Sequence, residues 1–309
     1  MADLEIRTMG GYDWLAVAEL IQLSTNYWYE SNGKSPIFPN GPESTQIFCQ
    51  VYEALDPGCT LIAVDPETDR LLGSCFYHPR ETHVSLGIMN VHPSYFGRGV
   101  ARRLLQHIID FAQGEGKPVR LVSSAMNLDS YSLYTRAGFV PRAAFQDMFL
   151  QVPEEGLNLE VPEVERVREA TPDDVSALAD LEMALAHIRR EKDYRYFIEN
   201  ELGVWHPSVH ENATGEIDGF LNSIACSGIN MIGPGVASSE EVAAALLYAE
   251  LNHNRGRCPL FLLPVTSKGL VSTAYRWGAK NCEFHFCQVL GEFHPFEGIV
   301  FPSFLPESA

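Results

Sequence analysis

One stretch of the chain changes its hydrophobic period sharply. Residues 82–91 are mostly apolar and extended in character, and Pro93 disfavours helix just before it. Gly97 and Gly99 follow, and from Val100 the apolar residues recur at intervals of three and four, with charged residues between them. The pattern predicts a strand, a glycine turn and an amphipathic helix. A helix that begins at such a turn presents unpaired N–H groups, which suit a phosphate.

The rest of the first half alternates between strand and helix patterns. Thr60–Val64 and Leu71–Tyr77 are apolar runs joined by a polar turn, so we expect a hairpin. The other predicted elements are a strand at 4–9, helices at 12–29 and 44–55, a strand at 119–123, a helix at 131–136 capped by Asp129 or Ser130, and a strand at 145–152.

The second half repeats the pattern of the first. Residues 153–163 are acidic and contain two prolines, which is typical of a linker. Residues 167–174 then resemble residues 6–13, and a helix is predicted over 175–189. We therefore expect two tandem domains, residues 1–155 and 163–309, with an irregular tail at 292–309.

The second copy differs at the turn before its main helix. Pro234 has no N–H to donate there, and Ser238 or Ser239 is expected to cap the helix internally. Glu240 and Glu241 would add negative charge at the same end, which opposes a phosphate. The second copy is therefore expected to have lost the anion site and to be structural.

The amino-acid composition of the chain argues against several classes of function. The chain has 309 residues, is 46% hydrophobic and carries a net charge of −18, so a nucleic-acid surface is not expected. It has no apolar run long enough to span a membrane and no signal-peptide pattern at its start. Seven scattered cysteines without a C-x-x-C motif suit a cytoplasmic protein. The histidines show no metal-ligand spacing, so no metal is expected.

Two motifs in the first half are similar to those of a known family. Val91-x-Pro93 precedes Gly97-x-Gly99-x-Ala101, and Asn127-x-x-Ser130-x-x-Leu133-Tyr134-x-Arg136-x-Gly138-Phe139 follows about one strand later. In this order the chain resembles the GNAT superfamily of acyl-CoA-dependent N-acyltransferases. The resemblance implies an α/β (α+β) fold, with two tandem GNAT-like domains, each a mixed, mostly antiparallel sheet flanked by helices. Phe96 departs from the family pattern, which has Arg or Gln there.

The resemblance also implies roles for individual residues. Backbone amides of the glycine turn would bind the pyrophosphate of acetyl-CoA, and the strand before the turn would pair with the pantetheine arm. Tyr134 matches the family's general acid, which protonates the departing thiolate. The residues expected to bind the co-substrate are Met89, Asn90, Val91, Phe96, Gly97, Arg98, Gly99, Val100, Ala101, Asn127, Tyr131 and Tyr134.

The general base and the acceptor site are less defined. Family members often place a carboxylate at the position of Ser85, which cannot accept the proton. Glu81 and His83 lie just upstream, either as bases acting directly or through water, or as a solvated strand end. The Gly- and Pro-rich loop at 31–43 is either functional or a solvent loop with an aromatic anchor. If it is functional, Trp28, Tyr29 and Phe38 would form a partly apolar acceptor pocket.

Two functions therefore remain open. The first is an N-acetyltransferase that moves an acetyl or acyl group from acetyl-CoA to an amine of a small molecule or peptide. The second is a non-catalytic acyl-CoA-binding sensor or interaction protein with the same fold. In either case we expect a monomer or homodimer without nucleic-acid or membrane partners.

Overall fold

The computed structural model describes residues 4–305, together with 307 and 308, the last two by their backbone. By its internal contacts the chain divides into two units, residues 4–79, 84–119 and 304–305, and residues 80–83, 120–303 and 307–308. This division does not follow the linker at 153–163, so the expected domain boundary stays a prediction. Among the described residues, no helix has both the length and the apolar character needed to cross a membrane.

The first unit is an antiparallel sheet with three helices. Its strands pair in chain order. Its elements are β1 (Glu5–Thr8), α1 (Trp14–Ser31), α2 (Gln46–Leu55), β2 (Thr60–Val64), β3 (Leu71–Pro79), β4 (Val84–Val91) and α3 (Val100–Gly114). All residues of β2 are buried, and α3 buries one stripe of apolar side chains while its charged residues face outward.

The second unit contains the remaining elements, apart from Val119 of β5 and Phe304 of β14, which belong to the first. They are β5 (Val119–Ser124), α4 (Leu128–Arg136), β6 (Val140–Phe149), β7 (Val167–Glu169), α5 (Val175–Ala186), α6 (Glu191–Glu199), β8 (Trp205–Glu211), β9 (Ile217–Ala225), β10 (Asn230–Ala237), α7 (Glu240–His253), β11 (Leu260–Pro264), α8 (Lys268–Arg276), β12 (Lys280–Leu290), β13 (Ile299–Phe301), β14 (Ser303–Phe304) and β15 (Glu307–Ser308).

Strand β6, from the first half of the sequence, lies between two strands from the second half. The strand order is β5-β12-β6-β11-β10-β9-β8-β7, and β6 is antiparallel to both of its neighbours. Met148 and the following Leu150 and Val152 are buried in one hydrophobic core with Leu246 and Phe261. The core of the second unit therefore contains residues from both halves of the chain.

Several predicted element boundaries are wrong, and one of them is the end of β6, which lies at Phe149 and not at residue 152. Helix α4 begins at Leu128, because the Asn127 side chain caps it in place of Asp129 or Ser130. Strand β6 begins at Val140 although Pro141 follows, since the extra residue Arg142 next to Pro141 shifts the register there and the ladder tolerates a missing N–H. Helix α5 ends at Ala186, because His187 adopts a left-handed conformation with φ 55°.

The C-terminal tail is also more regular than expected. Within it, Ile299–Phe301 is a strand that pairs with β10. The parts of the tail at residues 306 and 309 lie outside the described residues.

Candidate active site

Strand β4 carries a bulge next to the predicted pantetheine-binding residues. Cys75 pairs with Met89 and Tyr77 pairs with Leu86, so β4 has one residue more than β3 between these pairs. A bulge of this kind breaks the ladder locally and redirects backbone groups. Met89 and Val91 are partly exposed, whereas Asn90 is buried and donates a long hydrogen bond of 3.4 Å to Thr25 Oγ1.

The turn between β4 and α3 is built on two glycines in the left-handed region. Gly97 has φ 73° and Gly99, the N-cap of α3, has φ 85°. Among the described residues no side chain caps the helix, and a Cβ at either glycine would meet no atom within 4 Å. The first backbone N–H groups of α3, from Gly99 through Ala101, therefore lack a side-chain cap at the positive end of the helix dipole.

The side chains around this helix end are basic or aromatic. Arg98, Arg102 and Arg103 are exposed, and the first turn contains no acidic residue. Phe96 is 45% exposed, with its ring edge-on to Tyr27 at a centroid distance of 5.9 Å. Phe96 thus packs on α1, while three neighbouring guanidinium groups make the helix end positive.

Helix α4 positions the remaining residues of the second motif. The Asn127 Oδ1 accepts a hydrogen bond of 3.1 Å from the Ser130 N–H. Tyr131 packs against the Phe286 ring at 5.8 Å. Tyr134 is 6% exposed and packs against Phe139. The structure thus assigns the oxygen of Asn127 to helix capping and encloses most of the Tyr134 ring.

The two candidate bases upstream of β4 have different surroundings. Glu81 is exposed, and its carboxylate lies 3.6 Å from the Arg189 guanidinium. His83 is buried, and its Nδ1 lies 3.0 Å from Thr82 Oγ1. Ser85 is also buried. Neither arrangement selects one residue as the base, so both assignments stay predictions.

The aromatic residues near the 31–43 loop divide into two groups. Trp28 and Tyr29 pack edge to face at 5.1 Å. Phe38 is buried against Phe48, and its backbone exchanges two hydrogen bonds of 2.9 Å with the Asn26 side chain. These contacts make Phe38 an anchor for the loop, which is what the solvent-loop interpretation requires.

In the second half, the helix that corresponds to α3 is closed at its start. Ser239 caps α7 by accepting a hydrogen bond from the Val242 N–H. Glu240 lies in the first turn, and its carboxylate accepts a hydrogen bond of 2.7 Å from the Leu270 N–H. The expected serine cap is confirmed, and one of the two glutamates is engaged by α8.

Strand β10 is covered as well. Beyond a register shift, Gly235 to Ala237 pair with Phe301 to Ile299 of β13 in antiparallel register. A Cβ at Gly233 would lie 2.6 Å from the Pro302 carbonyl oxygen, so the C-terminal segment packs directly on this backbone. The edge of β10 that corresponds to the pantetheine position of β4 is thus paired with the protein's own chain.

Sequence reasoning missed a buried polar cluster on β6 and β12. Asp147, Glu283 and His285 each offer one ligand atom, and these atoms lie within 4.8 Å of one another. Asp147 Oδ1 is 2.9 Å from His285 Nδ1, and Ser124 Oγ donates to the Glu283 carboxylate. The residues are far apart in sequence, so only the alternation Glu283-x-His285 on a strand could have suggested them.

Comparison with known proteins agrees with this geometry. A model of the Acetyltransferase (GNAT) family matches residues 19–139, which include the bulged strand and both motifs. Residues 19–139 are therefore similar to a GNAT domain. Acyl transfer with an acyl-CoA co-substrate is the general chemistry of that family.

Solved structures place the whole chain in the same fold. A Pyrococcus horikoshii protein provisionally assigned as an acetyltransferase has a TM-score of 0.75 at 16% identity, covering 99% of this chain and 96% of that one. A GCN5-related N-acetyltransferase from Sphaerobacter thermophilus has a TM-score of 0.66 at 17% identity, covering 95% and 97%. A tandem GNAT protein from the clavulanic acid biosynthesis pathway has a TM-score of 0.64 at 14% identity, covering 94% and 100%.

A curated relative matches a shorter segment. It is the UPF0157 protein YqkA of Bacillus subtilis (strain 168), 33% identical over 70 residues. The match covers 23% of this chain and 20% of that protein. It therefore adds a local similarity to the GNAT assignment and says nothing about substrates.

Proposed function

We propose that this protein is an N-acyltransferase that uses acetyl-CoA as donor and an amine of a small molecule or peptide as acceptor. The observation that carries the proposal is the start of α3. Gly99 is left-handed, no side chain of the described residues caps the helix, and the space beside the glycines is open. Such a helix end is suited to a pyrophosphate.

The proposed roles of the individual residues follow from the two motifs. Amides from Gly97 to Ala101 would bind the pyrophosphate, with Arg98 adding positive charge. The bulged backbone at Met89 to Val91 would pair with the pantetheine arm, as an added strand pairs with a sheet edge. The amine nitrogen attacks the thioester carbon, the C–S bond breaks, and the Tyr134 hydroxyl gives its proton to the thiolate. The nitrogen releases one proton to water as the amide forms, and the Tyr134 oxygen takes up a proton from water.

The test of the donor site is Gly99→Glu, because it brings a negative charge and a side chain to a left-handed position at the helix start. We expect acetyl-CoA binding, measured by isothermal titration calorimetry, to be lost. Gly116→Glu is the matched control, since Gly116 also has positive φ (65°) and open space but lies beyond the other end of α3. Equal affinities in the two variants would rule out this helix end as the phosphate site.

A non-catalytic acyl-CoA sensor is the second candidate, and the residue that favours it is the buried Ser85 at the position of the family's carboxylate. Thiol release from acetyl-CoA with a panel of alkyl, aryl and polyamines separates the two. Release with at least one amine supports the enzyme, whereas tight acetyl-CoA binding without release for any amine supports the sensor.

The remaining expectations about the whole protein are also proposals. We propose that residues 1–155 and 163–309 are tandem GNAT repeats, and that the second has lost its ligand site. The closed start of α7 and the pairing of β10 with β13 support that loss. We further propose a cytoplasmic location and a monomeric or homodimeric state without nucleic-acid partners.

A further inference from the structure

Two arginine side chains of the second unit converge on one aromatic ring. The guanidinium carbons of Arg120 and Arg142 lie 5.7 Å and 5.8 Å from the centre of the Phe293 ring. His187, whose imidazole stacks on that of His294 at 3.7 Å, is close enough to feel the Arg120 charge. We infer that these four basic residues, called the Arg120 cluster here, form a binding site for a small carboxylate with a single negative charge. The acyl transfer proposed above does not use this ligand.

Arg120 is a buried cation that the fold leaves without a counter-charge. Its side chain belongs to a residue that is 1% exposed, and burial lowers its pKa, so the fold favours its charged form less than water does. Glu182 is the one carboxylate among the described residues whose charge acts on Arg120, and it is already paired with Arg190 at 2.7 Å. A buried charge without its own partner is costly, and a bound anion removes that cost.

Most of the hydrogen-bonding capacity of Arg120 is also unused. A guanidinium has five N–H donors. The Nη1 atom donates a long hydrogen bond of 3.5 Å to the Ala186 carbonyl, and the buried Nε has no hydrogen-bond partner among the described residues. The face of the Phe293 ring attracts the cation but offers no oxygen acceptor. A carboxylate can accept two parallel bonds from the guanidinium edge that includes Nε.

A bulge brings the second guanidinium to the same place. Arg142 is the residue of β6 that has no partner in β12 where the register shifts. Bulges commonly redirect a side chain, and Arg142 lies over the same ring as Arg120 although β12 separates β5 from β6. Both guanidinium charges act on the buried Cys287 of β12. Burial nevertheless raises the pKa of the Cys287 thiol to about 12, so the thiol stays neutral and does not serve as the counter-charge.

The charges of the Arg120 cluster fit a ligand with one negative charge. Burial, with the charges of His294 and Arg120, lowers the pKa of His187, so its imidazole is neutral at pH 7. Glu292 lies 3.5 Å from His294 and offsets one of the two guanidinium charges. One positive charge remains, which a carboxylate neutralises, whereas a phosphate carries nearly two negative charges. Arg142 is exposed and His187 partly exposed, so the site is open to solvent on that side.

The first test measures the binding of isotope-labelled formate to the full chain by NMR, at constant ionic strength and without other carboxylates. We expect saturable binding to the wild type, and Arg120→Gln should raise Kd by about tenfold or more. Arg195→Gln is the matched control, because Arg195 is an exposed arginine of the same unit, and its Kd should equal that of the wild type. Formamide, a neutral molecule of similar shape, should not bind.

A second test separates a ligand-binding role from a structural one. Arg120→Met replaces the charge by an apolar side chain of similar length. Without formate, we expect the thermal unfolding midpoint of this variant to equal or exceed that of the wild type, because an uncompensated buried charge is removed. Formate should raise the midpoint of the wild type and leave that of the variant unchanged. An arginine that serves only to bind the carbonyl end of α5 would give the opposite result, a lower midpoint in the variant.

A wild-type crystal soaked in formate tests the same inference without a variant. We expect a carboxylate oxygen within about 3.2 Å of Arg120 Nε. Four results would overturn the inference: equal formate affinity in the wild type and Arg120→Gln, saturable binding of inorganic phosphate without binding of formate, a lower midpoint in Arg120→Met, or formate bound only elsewhere in the crystal. None of these measurements uses acetyl-CoA, so such a result would leave the proposed transferase function unaffected.

Discussion

At the scale of single residues, the proposed phosphate site depends on two glycines, which have no side chain, as much as on the backbone amides beside them. Gly97 and Gly99 adopt left-handed backbone that other residues rarely adopt, and their spacing was enough to predict an anion site. The buried cluster of Asp147, Glu283 and His285 was not predictable, because Asp147 and Glu283 become neighbours only through long-range strand pairing. A short stretch of sequence indicates which turn the chain forms there, but it does not indicate which residues face each other across paired strands.

Tyr134→Phe removes the hydroxyl proton and keeps the ring that packs on Phe139. We expect kcat for thiol release to fall by about a hundredfold, since general acid catalysis contributes at least that much. Acetyl-CoA affinity should not change. Wild-type kcat in this variant would exclude Tyr134 as the acid, and reduced affinity would make it a binding residue.

At the scale of elements, the turn before α3 depends on a histidine. His92 Nδ1 accepts a hydrogen bond of 3.2 Å from the Ser94 N–H, so the imidazole must be neutral on that nitrogen. Burial, together with the charge of Arg70, lowers the pKa of His92 below its ordinary value of 6.5. The folded turn thus favours the neutral form of His92. This form stabilises the turn at a pH above 6.5, and the stabilisation is lost as the pH falls from 6.5 through the lower pKa of the folded state.

His92→Asn replaces this acceptor by an amide oxygen, which also caps a turn but does not titrate. We expect the acetyl-CoA affinity of the wild type to fall more steeply below pH 6.5 than that of the variant. Binding is measured by calorimetry of both proteins across this pH range. The titration of the acetyl-CoA phosphates is the same in both measurements, so it cancels in the comparison. Parallel pH profiles would mean that His92 does not control the turn.

Most elements were predictable, and the failures have local causes. The start of α3 and both ends of β2 agree with the sequence pattern, because glycines and prolines mark them clearly. Strand β6 begins five residues before the predicted start, because Pro141 is typical of a strand break in sequence and is accommodated by the extra residue Arg142 in the same strand.

At the scale of the whole molecule, the second unit contains a buried ion network. Arg80 lies 2.9 Å from Asp193, and Arg190 pairs with Glu182 at 2.7 Å. All four side chains are buried, and burial raises the pKa of Glu182 although Arg190 opposes this. Removing one partner leaves an uncompensated charge in the interior.

Asp193→Asn should therefore lower the free energy of unfolding by about 3 kcal/mol, measured by urea denaturation. Asp173→Asn is the control, because Asp173 is exposed at the start of the same half, and a change within about 0.5 kcal/mol is expected. Equal stability of the two variants would show that the network contributes little.

Cutting the chain after residue 155 tests the expected domain boundary. Strand β6 would lose β11 and β12, and Met148, Leu150 and Val152 would lose their core partners. We expect residues 1–155 alone to aggregate or to show no cooperative thermal unfolding by circular dichroism. A soluble fragment with a cooperative transition would show that the first repeat folds by itself.

The short strand β13 limits how this protein can be altered. Substitutions in the first turn of α7 alone could not create a second catalytic centre, because the backbone of Ile299–Phe301 already pairs with β10. An engineer would first have to excise or reroute the end of the chain. Any gain of donor binding in that half would then expose a bare strand, at the expense of solubility.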